Sequence, residues 1–356
     1  MTARLIVDLH ALDANIRRVQ TGLAPAELML VVKNDAYGHG ISRVVPRASA
    51  LGVAWFGAFD VVTAAAVRRA AGDGPRIFVW LVPGRQEIGD ALMLDTDIGV
   101  GDADVLEDVA AVAADRSRRA RVHLKIDTGL HRNGIRPEDW ADAVGRARAL
   151  QDAGLIEVVG IWSHIAEASD DEDDAARAAF DHAVGVARSA GLTPTLRHLA
   201  ASAAGTMRPE FRYEMTRVGA FCYGIAPAGG PSAADLDLTP IGTLAASVVA
   251  VDADADAAII DIGVFDGLPS LLAGRVDVGT PGGPRRLVTV GEDSRVEGWP
   301  GMAVGDEVVI YGTGSRGEPT STDLAETLDT IGEEIAVRLS PAVRREDDDA
   351  RSARQS

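Results

Sequence analysis

Leu30-Val31-Val32-Lys33-Asn34-Asp35-Ala36-Tyr37-Gly38-His39-Gly40 is the stretch whose residue types bear most directly on chemistry. The apolar run Leu28 to Val32 predicts a buried strand, and it delivers a lysine at its C-terminal end. Lysine avoids the interior unless it is paired or reactive. An amine held in an apolar site loses part of its preference for charge and becomes a nucleophile toward an aldehyde. Tyr37 follows four residues later, and Gly38 and Gly40 bracket His39 in a turn. The bland alternative is a strand end with a snorkelling lysine. Further along come Lys125-Ile126-Asp127-Thr128-Gly129-Leu130-His131-Arg132, then Ser163-His164, Ser202, and Arg217 with Gly219. Singly, each has an ordinary reading: His164 as a satisfied core histidine, Arg132 as a surface arginine.

The elements that must position them repeat regularly. Strands are predicted at 28–32, 55–59, 76–82, 97–100, 121–126, 156–162, 195–199 and 215–222. Amphipathic helices are predicted near 60–71, 103–115, 137–153 and 173–190, with an earlier one carrying Leu12, Ile16, Val19 and Leu23 on one face. The run Asp170-Asp171-Glu172-Asp173-Asp174 reads as an acidic helix entry that complements the dipole, not as a metal site. Eight strands alternating with helices predict a parallel (β/α)8 TIM-type barrel, with an open doubly wound sheet as the alternative. After about residue 235 helical periods stop. Thr243–Val251, Ala257–Ile262, Arg286–Val290 and Glu307–Tyr311 then predict a smaller, mainly β C-terminal domain. The expected organisation is an α/β barrel over 1–234, a β domain over 235–345 and a disordered tail over 346–356.

A parallel barrel places its site at the C-terminal strand ends. Lys33, Lys125, His164 and Ser202 fall at or just beyond such ends, and Arg217 lies within the eighth strand. A cationic or polar group on each of five strand ends suits an anionic, phosphorylated aldehyde: a phosphate needs donors, which Tyr37, Ser202 and the backbone at Gly219 supply.

Composition narrows the classes. The formal charge is -18 over 356 residues, against a nucleic-acid partner, which needs a basic face. No apolar run approaches the ~20 residues that span a bilayer, and the N-terminus lacks a signal-peptide core. Cys222 is the only cysteine, so no internal disulfide or thiolate metal cluster is expected and Cys222 reads as a small core residue. The cytoplasm is the expected compartment.

The Lys33 string resembles the pyridoxal-phosphate (PLP) lysine signature of the alanine racemase family. Val7-Asp8-Leu9-His10-Ala11-Leu12 with Asn15-Ile16 is similar to the family's opening segment. Resemblance continues through Tyr223-Gly224, Ile262-Gly263 with Asp266-Gly267, and Gly305-Asp306-Glu307-Val308-Val309, from about residue 5 to 340. The resemblance implies that Lys33 binds the cofactor covalently and is catalytic, and that Tyr37, Ser202 and Gly219 hold the phosphate. It implies that His164 packs on the ring and that Arg217 partners the pyridine nitrogen. A permanently charged arginine there keeps that nitrogen unprotonated and weakens the electron sink. Arg132 then faces the phenolic oxygen or the substrate carboxylate, and Lys125 is the candidate carbamylated lysine that positions it. The implied activity is that of an isomerase, a PLP-dependent racemase interconverting L- and D-alanine for D-alanine biosynthesis, as a homodimer acting on a small amino acid.

The departures are as informative. The family's second base is a tyrosine between the first β-domain strand and the one before the Asp-Gly turn. Here Val248–Val251 runs through Asp252-Ala253-Asp254-Ala255-Asp256 straight into Ala257–Ile262, and none of the four tyrosines (Tyr37, Tyr213, Tyr223, Tyr311) lies there. Gly291-Glu292-Asp293-Ser294 stands where a methionine–aspartate pair is expected, Glu333 where a phosphate-binding tyrosine is expected, and Ala201 where an asparagine precedes the serine. Weak or substrate-altered racemisation is therefore expected. A single-base PLP enzyme and a PLP-binding homologue without turnover are the alternatives.

Overall fold

The computed structural model describes residues 2–167 and 169–348. The chain divides into two compact units: one contains residues 19–33 and 48–219, the other residues 2–18, 34–47 and 220–348.

The first unit is the expected parallel barrel. Its strands are β2 (Glu27–Val31), β3 (Trp55–Asp60), β4 (Arg76–Leu81), β5 (Asp97–Val100), β6 (Ala120–Lys125), β7 (Ile156–Trp162), β8 (Leu196–His198) and β9 (Met215–Val218); β1 belongs to the other unit. They pair in parallel in the order β8-β7-β6-β5-β4-β3-β2-β9. At the seam between β8 and β9, side chains replace the backbone ladder. Glu214 accepts from the Arg197 backbone N–H at 2.9 Å. The Arg217 guanidinium donates to the carbonyls of His198 (2.8 Å) and Leu199 (3.0 Å). Met29, Trp55, Phe78, Trp162 and Met215 fill the interior, and an aliphatic layer lies between strands and helices. Gly99 makes room for these rings: a Cβ there would lie 3.1 Å from both Phe78 and Trp80. Helices Val61–Ala71 and Ala103–Asp115 start at Asp60 and Asp102, whose carboxylates accept the N3 amides. The acidic run opens helix Asp170–Ser189 behind a Ser169 cap, as expected. Helices Ile41–Ala50 and Arg85–Met93 lie outside the predicted elements.

The second unit is built on one eight-stranded sheet, in the order β11-β14-β13-β12-β15-β10-β1-β16 with an added β10–β11 pairing. It comprises β1 (Arg4–Val7), β10 (Gly242–Asp252), β11 (Ala257–Ile260), β12 (Asp277–Thr280), β13 (Gly283–Val290), β14 (Ser294–Glu297), β15 (Glu307–Tyr311) and β16 (Arg344–Asp347). Three expectations change. Strand β1 pairs antiparallel with β10, so the N-terminal residues belong with the β sheet and not with the barrel. The expected tail begins too early, because Glu346 and Asp347 lie in β16, parallel to β1, where Arg43 Nε donates to Asp347 at 2.5 Å. Residues 349–356 of that tail lie outside the described residues. Helices also persist beyond 235: Ser321–Thr327, closed by a Thr320/Asp323 capping box, and Gly332–Val337. Each is shorter than two turns and shows no readable period. Among the described residues no helix is long and apolar enough to cross a membrane.

Candidate active site

The C-terminal ends of the barrel strands carry the predicted groups. Val32 N–H extends the β2 ladder by donating to Gly57 O, and Lys33 follows, half-buried. The next four residues, Asn34 to Tyr37, all have left-handed backbone, with φ between 51° and 55°. L-residues pay roughly 1–2 kcal/mol each for that conformation. The turn is held by Gly38 N–H to Asn34 O (2.8 Å), Gly40 N–H to Asp35 O (2.9 Å) and Ile41 N–H to the Asp35 carboxylate (2.8 Å). Gly38 is obligatory: a Cβ there would meet Ala336 O at 2.7 Å. Tyr37 is buried, its ring 4.8 Å from that of Tyr223, and burial together with the charge of Glu333 raises its phenol well above the usual range. His39 is structural: its Nδ1 sits 3.0 Å from Ala36 O, its ring stacks on Tyr223, and burial pushes it down to about 4.

In the barrel, Lys125 ends β6 with its ammonium 4.6 Å from the centre of the Trp162 ring. Burial, then the charges of Arg217 and Arg132, lower it to about 8. Beyond it, Asp127 N–H donates to Ile135 O and Ile135 N–H to Lys125 O, closing a loop with Arg132 exposed on it. Asp127 folds that loop by accepting the Gly129 and His131 amides. Ser163 is locked by Thr128 Oγ1 at 2.9 Å and Ile126 O at 2.6 Å. His164, next to it, is driven well below its ordinary value by burial and by Arg217, Arg132, Lys125 and Lys33. Ser202 begins the short helix Ser202–Met207, and its Oγ accepts Gly219 N–H at 3.3 Å, so two of the expected phosphate contacts are adjacent.

Arg217 is buried, and four of its donors are spent. One terminal nitrogen (Nη1) donates to His198 Nδ1 (3.0 Å) and His198 O. The other (Nη2) donates to the carbonyls of Ser163 (2.8 Å) and Leu199 and lies 3.4 Å from His164 Nδ1. Its Nε–H has no hydrogen-bond partner among the described residues. A donor left over at the barrel mouth fits an unprotonated ring nitrogen, and the nearby cations fit a phosphate and a carboxylate. Sequence reasoning missed Glu167, whose carboxylate accepts Ala204 N–H at 2.8 Å and acts on Arg217. It also missed Asp97 and His123 inside the barrel. No local motif marks either; only cross-strand registers bring them together.

A parallel barrel with a strand-end lysine, a ring of cations and a mainly β second unit defines a protein of the PLP-barrel class. The N-terminal domain model of alanine racemase matches residues 7–227 and the C-terminal domain model residues 246–347. The chain is 36% identical to the alanine racemase of Thermobifida fusca, over 95% of this chain and 96% of that protein. It is 34% identical to that of Mycolicibacterium smegmatis, over 94% and 92%. Among solved structures, alanine racemase from D-cycloserine-producing Streptomyces lavendulae superposes with a TM-score of 0.92 at 34% identity, covering 98% of this chain and 97% of that one. The Corynebacterium glutamicum enzyme gives 0.88 at 30% identity, covering 97% and 99%. The chain belongs to the alanine racemase family, whose enzymes depend on pyridoxal phosphate.

Proposed function

We propose that this protein interconverts L- and D-alanine, supplying D-alanine, in the cytoplasm and as a homodimer, with PLP attached to Lys33. The observation that carries the reading is the lysine delivered by β2 to the mouth of a barrel where Arg217 Nη2 lies 3.4 Å from His164 Nδ1 and Lys125 ends β6 beside it. Ser202 Oγ, the Gly219 amide and Tyr37 would hold the phosphate, His164 the ring face and Arg217 Nε–H the pyridine nitrogen. Bound PLP would supply electron withdrawal that acidifies the substrate Cα–H. The Lys33 amine then takes and returns that proton on one face. Arg132 offers a planar fork to the substrate carboxylate, and Lys125 positions it.

The opposite face lacks the expected base. Strands β10 and β11 pair directly as Asp252↔Ala257, leaving a four-residue turn between them and no tyrosine. Tyr213, for its part, donates to Asp181 at 2.8 Å, and Tyr311 lies in β15. The two faces are therefore served unequally.

Purified protein is expected to show a visible cofactor band that Lys33→Ala abolishes; a wild type that stays colourless with added PLP defeats the reading. In deuterated water, α-deuterium should enter one alanine enantiomer faster than that enantiomer inverts. Inversion that keeps pace with exchange at an ordinary turnover, on the order of 10 s⁻¹ or more, reveals a full second base.

A further inference from the structure

Barrel interiors are normally filled by layers of apolar side chains. This one carries a line of polar groups from one end to the other. Asp97, the first residue of β5, is fully buried and accepts from Arg76, from Arg121 Nε (2.7 Å) and from His123 Nε2 (3.0 Å). His123 Nδ1 lies 2.8 Å from His198 Nε2, and His198 Nδ1 lies 3.0 Å from Arg217 Nη1. Both imidazoles are fully buried. Aromatic rings sheathe them: Trp162 stacks on His198 with centroids 5.8 Å apart, and Phe78 abuts both histidines. Gly160 makes the space, since a Cβ there would lie 2.3 Å from His123 Nδ1.

The hydrogens in this line have only one consistent arrangement. A guanidinium can only donate, so His198 Nδ1 must accept. His198 therefore carries its hydrogen on Nε2 and gives it to His123 Nδ1. His123 must then carry its own hydrogen on Nε2 and give it to Asp97. Every bond points the same way, from the guanidinium to a carboxylate. An aligned, fully satisfied chain of this kind is mutually polarised, whereas a broken one leaves buried polar groups unpaired. Arg217 has no carboxylate among its hydrogen-bond partners; the chain connects it to one.

We propose that Asp97 is a positioning residue for the active site: acting through His123 and His198, it fixes the hydrogen-bonding direction of the Arg217 guanidinium. The opposite end of the chain is exposed to solvent through Arg76 and Arg121, 39% and 28% accessible, so the N-terminal rim of the barrel is coupled to its mouth. That the guanidinium in turn sets the ring nitrogen of PLP rests on the function proposed above; the tautomers do not.

The test uses PLP-loaded enzyme labelled with ¹⁵N-histidine, with His123 and His198 assigned by substitution. Both rings should show Nε2–H and an unprotonated Nδ1 at neutral pH. An Nδ1–H tautomer or an imidazolium on either ring overturns the proposal. Asp97→Asn should move the His198 and Arg217 side-chain resonances, shift the cofactor absorption band and weaken PLP binding about tenfold, the lower end of what a hydrogen bond to a charged group contributes. Gly160→Ala, which pushes His123 off His198 from the other side, should reproduce those shifts. A folded Asp97→Asn or Gly160→Ala protein with wild-type Arg217 resonances and an unmoved band also overturns it. If wild type binds no PLP, the functional reading fails while the histidine spectra still judge the chain.

Discussion

Lys33 and Lys125 are two lysines at strand ends. Lys125 has its ammonium over the Trp162 face, yet burial and two neighbouring arginines lower it to about 8. Carbon dioxide adds only to the neutral amine, so lowering the proton affinity favours carbamylation near neutral pH. A carbamate would also replace a cation among cations by an anion. The carbamate signal in ¹³CO₂-equilibrated protein should therefore grow as pH rises through about 8 and disappear in Lys125→Arg. A signal independent of pH across that range would contradict the assignment. Glu333 works in the opposite sense. Its carboxylate adds to the burial that raises the Tyr37 phenol. If Tyr37 contacts the PLP phosphate, that anion opposes binding. Glu333→Gln should tighten PLP by up to about fivefold, the scale of one solvent-screened charge pair, read as Kd by absorbance titration.

At the scale of elements, the left-handed turn Asn34–Tyr37 is the costliest local feature and also the least visible in sequence. Asn34 is exposed, with φ 51° and ψ 52°, a conformation that asparagine tolerates and β-branched residues resist. Asn34→Val should lower unfolding free energy by about 1–2 kcal/mol, while Asn34→Gly should be close to neutral, both read by chemical denaturation. Equal effects would show that the turn carries no such strain. Periodicity revealed the barrel because buried parallel strands are continuous apolar runs bounded by amphipathic helices; strands 97–100 and 156–162 have their predicted bounds. The same logic missed β16, whose Arg-Arg-Glu-Asp sequence reads as solvated tail until Arg43 and Arg4 pair with its carboxylates. It placed Lys33, Lys125, His164, Ser202 and Arg217 because strand ends are legible. It did not place Asp97 against His123, since their contact depends on barrel registers between strands 26 residues apart. Nor could composition show that the turn after Lys33 is left-handed, because only Gly38 and Gly40 hint at it.

The whole molecule poses the question of partners. The chain carries a formal charge of -18, which opposes self-association at long range and is screened by salt. The β-sheet unit nevertheless exposes large apolar side chains: Phe265 is 78% and Leu271 69% accessible. Both lie on short turns beside the Asp266-Gly267 motif, not in strands that a sheet neighbour would cover. Apolar side chains this exposed on an otherwise polar surface mark an interface when a partner of matching shape exists, and a twofold pair uses each patch twice. Light scattering at micromolar concentration should give the mass of two chains, with dissociation rising as ionic strength falls. Phe265→Glu should shift the equilibrium toward monomer and, if the partner completes the active site, lower inversion together with dimer content. A monomer with undiminished turnover would place every needed group within one chain. The second face of the substrate would then be served from the barrel itself, and the unequal proton traffic expected from Lys33 would need another acid among the groups that surround His164.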